Sequence, residues 1–280
     1  MTTADNTPVP DFSRLLRLDG RNFIVVGAGQ GMGRMTSHAL ASQGAKVLCV
    51  DINATLAEEI AAEVGGVPCV ADARKAEGAE SIVTTARQAF GRIHGVADIV
   101  GMARWNRIVD TTDEDWDWSL DMNLRHVFYM ARHAGRAMIE DGGGGSMVFV
   151  ASVDGISSAP FHVGYGAAKA GLLSIVRTAS VEFRKHQIRV NAVAPGGVAT
   201  PRMLQMRGVA SMDELATGAL DDPARTWDIA SAILFLSSDL SAHVTGQTLA
   251  VDGGVLQNSP FGIDEPPVAP GTTMGKDPTA

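Results

Sequence analysis

Seven short apolar runs alternate along this chain with six helical patterns. The runs lie near residues 22–27, 45–51, 66–71, 94–100, 145–151, 187–194 and 247–252, and the helical patterns near 32–43, 54–64, 77–91, 113–140, 164–186 and 225–238. A strand, a helix and another strand in succession cannot close as a hairpin. The helix carries the chain back, so the strands lie parallel and are buried on both faces. The expected fold class is α/β, a single doubly wound domain of about seven parallel strands flanked by helices. It spans 18–254, behind an N-terminal extension, 1–17, and ahead of a proline- and glycine-rich irregular tail, 255–280. A chain of 280 residues is long enough for one sizeable core.

The first run enters Gly27-Ala28-Gly29-Gln30-Gly31-Met32-Gly33 and then a helical stretch. Strand, glycine loop and helix make a Rossmann-type pyrophosphate site. Glycines let the backbone approach closely, and the helix N-terminus offers free N–H groups. The spacing fits G-x-x-x-G-x-G through Gly27, Gly31 and Gly33, not G-x-G-x-x-G. The second run ends at Asp51, about 20 positions on, where a carboxylate receives ribose hydroxyls. Asp51 repels a 2′-phosphate and its neighbour Ile52 offers no cation, so the expected cofactor is NAD rather than NADP. Asp51 or Asn53 equally suits the cap of the helix that begins near Ala54.

Tyr165 and Lys169 stand four residues apart, on one face of a helix. Leu172, Leu173, Val176 and Phe183 continue roughly the same stripe, so the lysine falls on a face expected to be buried. A phenol with an ordinary pKa of about 10 is a poor base. A nearby ammonium lowers that value. Ser152, at the end of the fifth run, is placed to bond a substrate oxygen, and Asn123 sits in mid-helix, where asparagine is unfavourable without a task.

Together these features resemble the short-chain dehydrogenase/reductase family over roughly Leu18 to Gly254. The matching motifs are Gly27-x-x-x-Gly31-x-Gly33, Asp72, Asp98-Ile99-Val100-Gly101, Asn123, Ser152, Tyr165-x-x-x-Lys169, Asn191 to Gly196 and Val251-Asp252-Gly253-Gly254. The resemblance implies a Ser152–Tyr165–Lys169–Asn123 active site, with Tyr165 as acid and base. Lys169 would also hold the nicotinamide ribose, and Asn123 a water continuing the proton relay. It adds Gln30, Met32, Asp72, Ala73, Gly101, Pro195, Gly196, Val198 and Thr200 to the cofactor contacts, and a substrate lid over about 198–222. It implies a homotetramer built on the helices at 113–140 and 164–186. Val26 and Asp98 depart from the family, which has threonine before the first loop glycine and Asn-Asn-Ala-Gly after the fourth strand.

Met102, Trp105, Val153, Asp154, Phe161, His162, Met203 and Met206 are expected to line the substrate pocket. They suit a hydrophobic, cyclic or bulky, secondary alcohol or its ketone. A ketoreductase acting on a β-keto thioester or polyketide-like carbonyl, and a dinucleotide-binding scaffold without turnover, are the alternatives. The formal charge of −8 speaks against nucleic acid as a partner. No apolar run reaches a membrane span, the start lacks a secretory pattern, and the seven histidines show no ligand spacing, so neither membrane nor metal is expected. Cys49 and Cys69 read as buried thiols of a cytoplasmic protein.

Overall fold

The computed structural model describes residues 7–216, 218 and 220–257. The 255–280 tail expected to be irregular lies outside the described residues beyond 257. A short helix, α1 (Phe12–Leu15), precedes the repeating pattern β1 (Asn22–Val26), α2 (Gly31–Ser42), β2 (Lys46–Asp51), α3 (Ala54–Val64), β3 (Val67–Val70), α4 (Ala76–Phe90) and β4 (Gly95–Asp98). The second half runs α5 (Asp113–Leu120), α6 (His126–Asp141), β5 (Gly145–Val150), α7 (Val163–Phe183) and β6 (Ile188–Pro195). It ends with β7 (Val198–Ala199), α8 (Pro201–Arg207), α9 (Met212–Leu215), β8 (Ala224–Arg225), α10 (Thr226–Ser237) and β9 (Thr248–Val251).

Seven strands form one parallel sheet in the order β3-β2-β1-β4-β5-β6-β9. The order reverses between β1 and β4, which opens a crevice at their carboxyl ends. β1 is buried at every position, as a strand covered on both faces must be. One core packs α4, α6 and α7 on the sheet through Ile82, Met130 and Leu172; the other packs α2 and α10 through Leu40 and Ile233.

Two glycine clusters do different work. Gly142, Gly143 and Gly144 all take positive φ and turn the chain from α6 into β5, with no helix following. Gly33 lets α2 settle on β1, since a Cβ there would lie 1.8 Å from the Gly27 carbonyl oxygen.

The single helix expected over 113–140 is interrupted. Asp121–Arg125 forms a π turn between α5 and α6. Asn123 causes the break: its side-chain amide donates to the Ser119 carbonyl at 3.0 Å, competing with the backbone ladder. Met130 of α6 is wholly buried in the core, whereas Phe128 on the same helix is 47% exposed.

The two departures from the family are structurally linked. Val26 is a buried core residue. Asp98, at the end of β4, accepts the Val100 N–H at 3.2 Å and contacts His126 of α6 at 2.7 Å. The Ile99 N–H donates to the Val26 carbonyl, so β1 and β4 stay tied through the backbone. Cys49 and Cys69 are both buried and free, and burial raises the Cys49 thiol to about 11.

Candidate active site

Ser152 follows β5 in extended backbone, and its hydroxyl accepts the Asp154 N–H at 3.2 Å. Tyr165 lies in the first turn of α7 and Lys169 one turn later. Lys169 is 1% exposed, a costly place for an ammonium without a partner. Its Nζ donates to the Val150 carbonyl at 2.8 Å and lies 5.7 Å from the centre of the Tyr165 ring. Burial lowers Lys169 to about 8, opposed by the charge of Asp98.

The phenol departs from the sequence expectation. Burial pushes Tyr165 up to about 12; the hydrogen bond with Ser152 pulls the other way, and the Asp154 charge adds to the rise. Desolvation of the buried phenol is the largest influence on it in this arrangement.

Asn123 is fully buried and joins the π turn to the loop after β4. Its Oδ1 accepts the Met102 N–H at 2.8 Å, and its Nδ2 donates to the Met102 carbonyl at 2.8 Å. Gly101 separates Asn123 from Lys169. A Cβ there would meet Lys169 Nζ at 2.9 Å and Asn123 Oδ1 at 3.1 Å. Ser152, Tyr165, Lys169 and Asn123 thus converge around the carboxyl ends of β4 and β5.

A cleft of about 380 Å³ opens beside them at the switch point. Gly27, Gln30, Gly31, Met32, Asp51, Ile52, Asp72, Ala73, Gly101 and Thr200 line it. Gly33 does not line it; Gly33 packs beneath the loop. Pro195 ends β6, Gly196 follows it and Val198 is buried in β7, and all three lie outside the lining. Thr200 has a further task, since its hydroxyl accepts the Met203 N–H as the cap of α8. Met102, expected in the substrate pocket, lines this cleft instead. Met206, 62% exposed, lines a shallow depression with Gln30, Pro201, Arg202 and Gln205.

The lining suits a dinucleotide. Gly27 and Gly31 take positive φ, and α2 has no side-chain cap; the Gly33 and Arg34 N–H groups turn back to the Gln30 carbonyl, which leaves those of Gly31 and Met32 at the helix start for a phosphate. Asp51 accepts the Gly29 N–H at 3.0 Å through Oδ2 and the Asn53 N–H at 3.0 Å through Oδ1. Each oxygen retains a lone pair for a ribose hydroxyl. Asn53 caps α3 by accepting the Leu56 N–H. Sequence reasoning missed Arg74 and Arg202 in the lining. Arg74 is tied to Asp72 by two bonds of 2.8 Å, and this pairing holds the Asp72 carboxyl below its usual range. The proximity of Arg74 to Asp72 in the chain was the available signal.

Trp105 and Asp154 gather around His162, which neighbours Tyr165 and follows Phe161. The Trp105 ring centre is 3.9 Å from that of His162, and His162 meets Tyr165 edge-on at 5.5 Å.

A family model described as "Enoyl-(Acyl carrier protein) reductase" matches residues 27–256. The chain belongs to the short-chain dehydrogenase/reductase family. D-Threitol dehydrogenase of Mycolicibacterium smegmatis is 35% identical over 266 residues, covering 91% of this chain and 98% of that one. The 3-oxoacyl-(acyl-carrier-protein) reductase FabG of Thermotoga maritima is 33% identical, covering 86% of this chain and all of its own. The solved structure of levodione reductase superposes with a TM-score of 0.80 at 30% identity, covering 87% of this chain and 100% of that one. Short-chain dehydrogenases/reductases are oxidoreductases that use NAD(H) or NADP(H) on small-molecule alcohols and ketones. Among the described residues, no helix is long and apolar enough to cross a membrane.

Proposed function

We propose that this protein is an NAD-dependent oxidoreductase that interconverts a hydrophobic, cyclic secondary alcohol and its ketone. The observation that carries this reading is Tyr165, whose ring lies 5.7 Å from the nitrogen of a buried Lys169 one turn on, beside a cleft that carries Asp51. Gly27, Gly31 and the N-terminus of α2 would hold the pyrophosphate, and Asp51 the adenosine ribose. A nicotinamide held there would supply the acceptor, or in reverse the donor, of the hydride at the carbinol carbon.

The chain's own residues handle the proton. Ser152 orients the substrate oxygen. Tyr165 takes the hydroxyl proton in oxidation and returns it in reduction. Lys169 supplies the positive charge that favours the phenolate, and Asn123 holds the 101–102 loop against the lysine. Trp105, Val153 and Phe161 give the substrate side its apolar surface, with Trp105 58% and Phe161 49% exposed. Asp51 supports NAD, since a 2′-phosphate would face its carboxylate.

The similarity to a 3-oxoacyl reductase favours a second reading, reduction of a β-keto thioester. Assays in both directions, with NAD or NADP and with cyclic alcohols or a 3-oxoacyl thioester, separate the two. NADPH-specific thioester reduction would overturn the leading reading. The proposal includes a cytoplasmic homotetramer. Trp116 and Phe128 support it as exposed aromatics on α5 and α6, and a monomer by light scattering would contradict it.

A further inference from the structure

His162 is fixed more firmly than a residue that merely lines a pocket. Its Nδ1 lies 2.5 Å from Asp154 Oδ2. A carboxylate only accepts, so Nδ1 carries the hydrogen, and Nε2 is an acceptor whenever the ring holds that one hydrogen alone. That Nε2 is buried and has no hydrogen-bond partner among the described residues. An unpaired buried acceptor costs about 1–3 kcal/mol, which is why such atoms are rare in folded proteins.

The backbone is strained to put the ring there. Phe161 holds φ at 68°, a conformation bulky residues avoid. Its carbonyl accepts the Asn106 N–H at 2.9 Å, and Asn106 bridges to His162. The 104–106 loop is anchored in turn to α5: Arg104 and Asn106 both bond the Asp115 carboxylate, at 2.6 and 3.0 Å. This anchoring sets the Trp105 ring against His162. Asp154 links the pair back to the reaction centre, because its N–H donates to Ser152 Oγ.

We infer that His162, oriented by Asp154, is a specificity residue whose Nε2 accepts a second hydroxyl of the substrate. This rests on the proposed oxidation at Tyr165 and names the substrate class more closely. It is a secondary alcohol carrying another hydroxyl on the adjacent carbon, with a ring that packs on Trp105. The His162 and Tyr165 rings are neighbours, their centres 5.5 Å apart, so a hydroxyl next to the one at Tyr165 falls on the His162 side. A plain alcohol leaves Nε2 unpaired, and such sites discriminate against the analogue that lacks the bonding group.

The test compares cyclohexane-1,2-diol with cyclohexanol in the wild type, His162→Phe and His162→Gln. The readout is the ratio of the two kcat/KM values, whatever the absolute rates. The wild type should favour the diol roughly tenfold or more. His162→Phe should bring the ratio near one, and His162→Gln, which keeps a polar end, should restore part of it. A wild-type ratio near one, or a ratio untouched by His162→Phe, overturns the inference while leaving the dehydrogenase reading intact. If neither alcohol is turned over, the reading at Tyr165 falls separately. The same ratio, taken from dissociation constants by tryptophan fluorescence with NAD present, then decides the role of His162 by the same criteria.

Discussion

Asp98 and His126 hold one another at 2.7 Å, with neither side chain more than 1% exposed. The pair joins β4 to α6 at the position where the family uses asparagine. Removing one partner of a buried pair is costly because the other is left uncompensated, by about 3–5 kcal/mol. His126→Ala should lose stability on that scale, and adding Asp98→Asn should recover much of the loss. Urea unfolding of the four proteins in the cycle measures the coupling. Purely additive losses would show that the two side chains act independently.

Gly101 separates Lys169 from Asn123, and a methyl group there would lie 2.9 Å from the lysine nitrogen. Gly101→Ala should leave a folded protein whose turnover falls roughly 100-fold, the scale expected when a reacting group shifts by about 1 Å. Circular dichroism checks the fold and steady-state kinetics the rate. A wild-type kcat would remove Gly101 from the account.

The proposed preference for NAD rests on the charge of Asp51. Like charges placed together cost several kcal/mol. Asp51→Asn keeps acceptor capacity but loses the repulsion, so it should raise kcat/KM for NADP relative to NAD by roughly tenfold or more. An unchanged ratio would show that the Asp51 charge does not govern the choice of cofactor.

Lys169 makes stability depend on pH. Its pKa falls from 10.5 to about 8 on folding. Below 8 both folded and unfolded states carry the charge, and the folded state bears the full cost of burying it. Above 8 the folded lysine sheds its proton first, so the unfolded state binds more protons and stability rises with pH. Wild-type Tm should therefore gain on that of Lys169→Met between pH 8 and pH 10. Above pH 10 the raised Tyr165 acts in the opposite direction. Parallel Tm curves between pH 8 and 10 would show that the lysine is not desolvated.

The parallel α/β sheet was legible because alternation is a local signal carried by every segment. The Tyr165–Lys169 face was legible for the same reason, since helix periodicity places i and i+4 together. The π turn was not. Apolar periodicity runs through 113–140 unbroken, and only the competition of Asn123 for the Ser119 carbonyl interrupts it. Asp98 with His126, 28 positions apart, and Nε2 of His162 left unpaired both depend on tertiary packing. Met102 reads as a substrate residue from its sequence, yet its backbone bonds to Asn123 and it lines the cleft that carries Asp51. The upward shift of Tyr165 is likewise a burial effect that residue spacing does not encode.

The central claim is that Tyr165 moves the proton during hydride transfer. Absorbance at the reduced-nicotinamide band, with NAD and a panel of cyclic secondary alcohols and diols, tests it most directly in the wild type and Tyr165→Phe. The account predicts NADH formation by the wild type and none above background by the variant, with NAD binding retained in both. NADH formation by Tyr165→Phe at a rate near that of the wild type would contradict it.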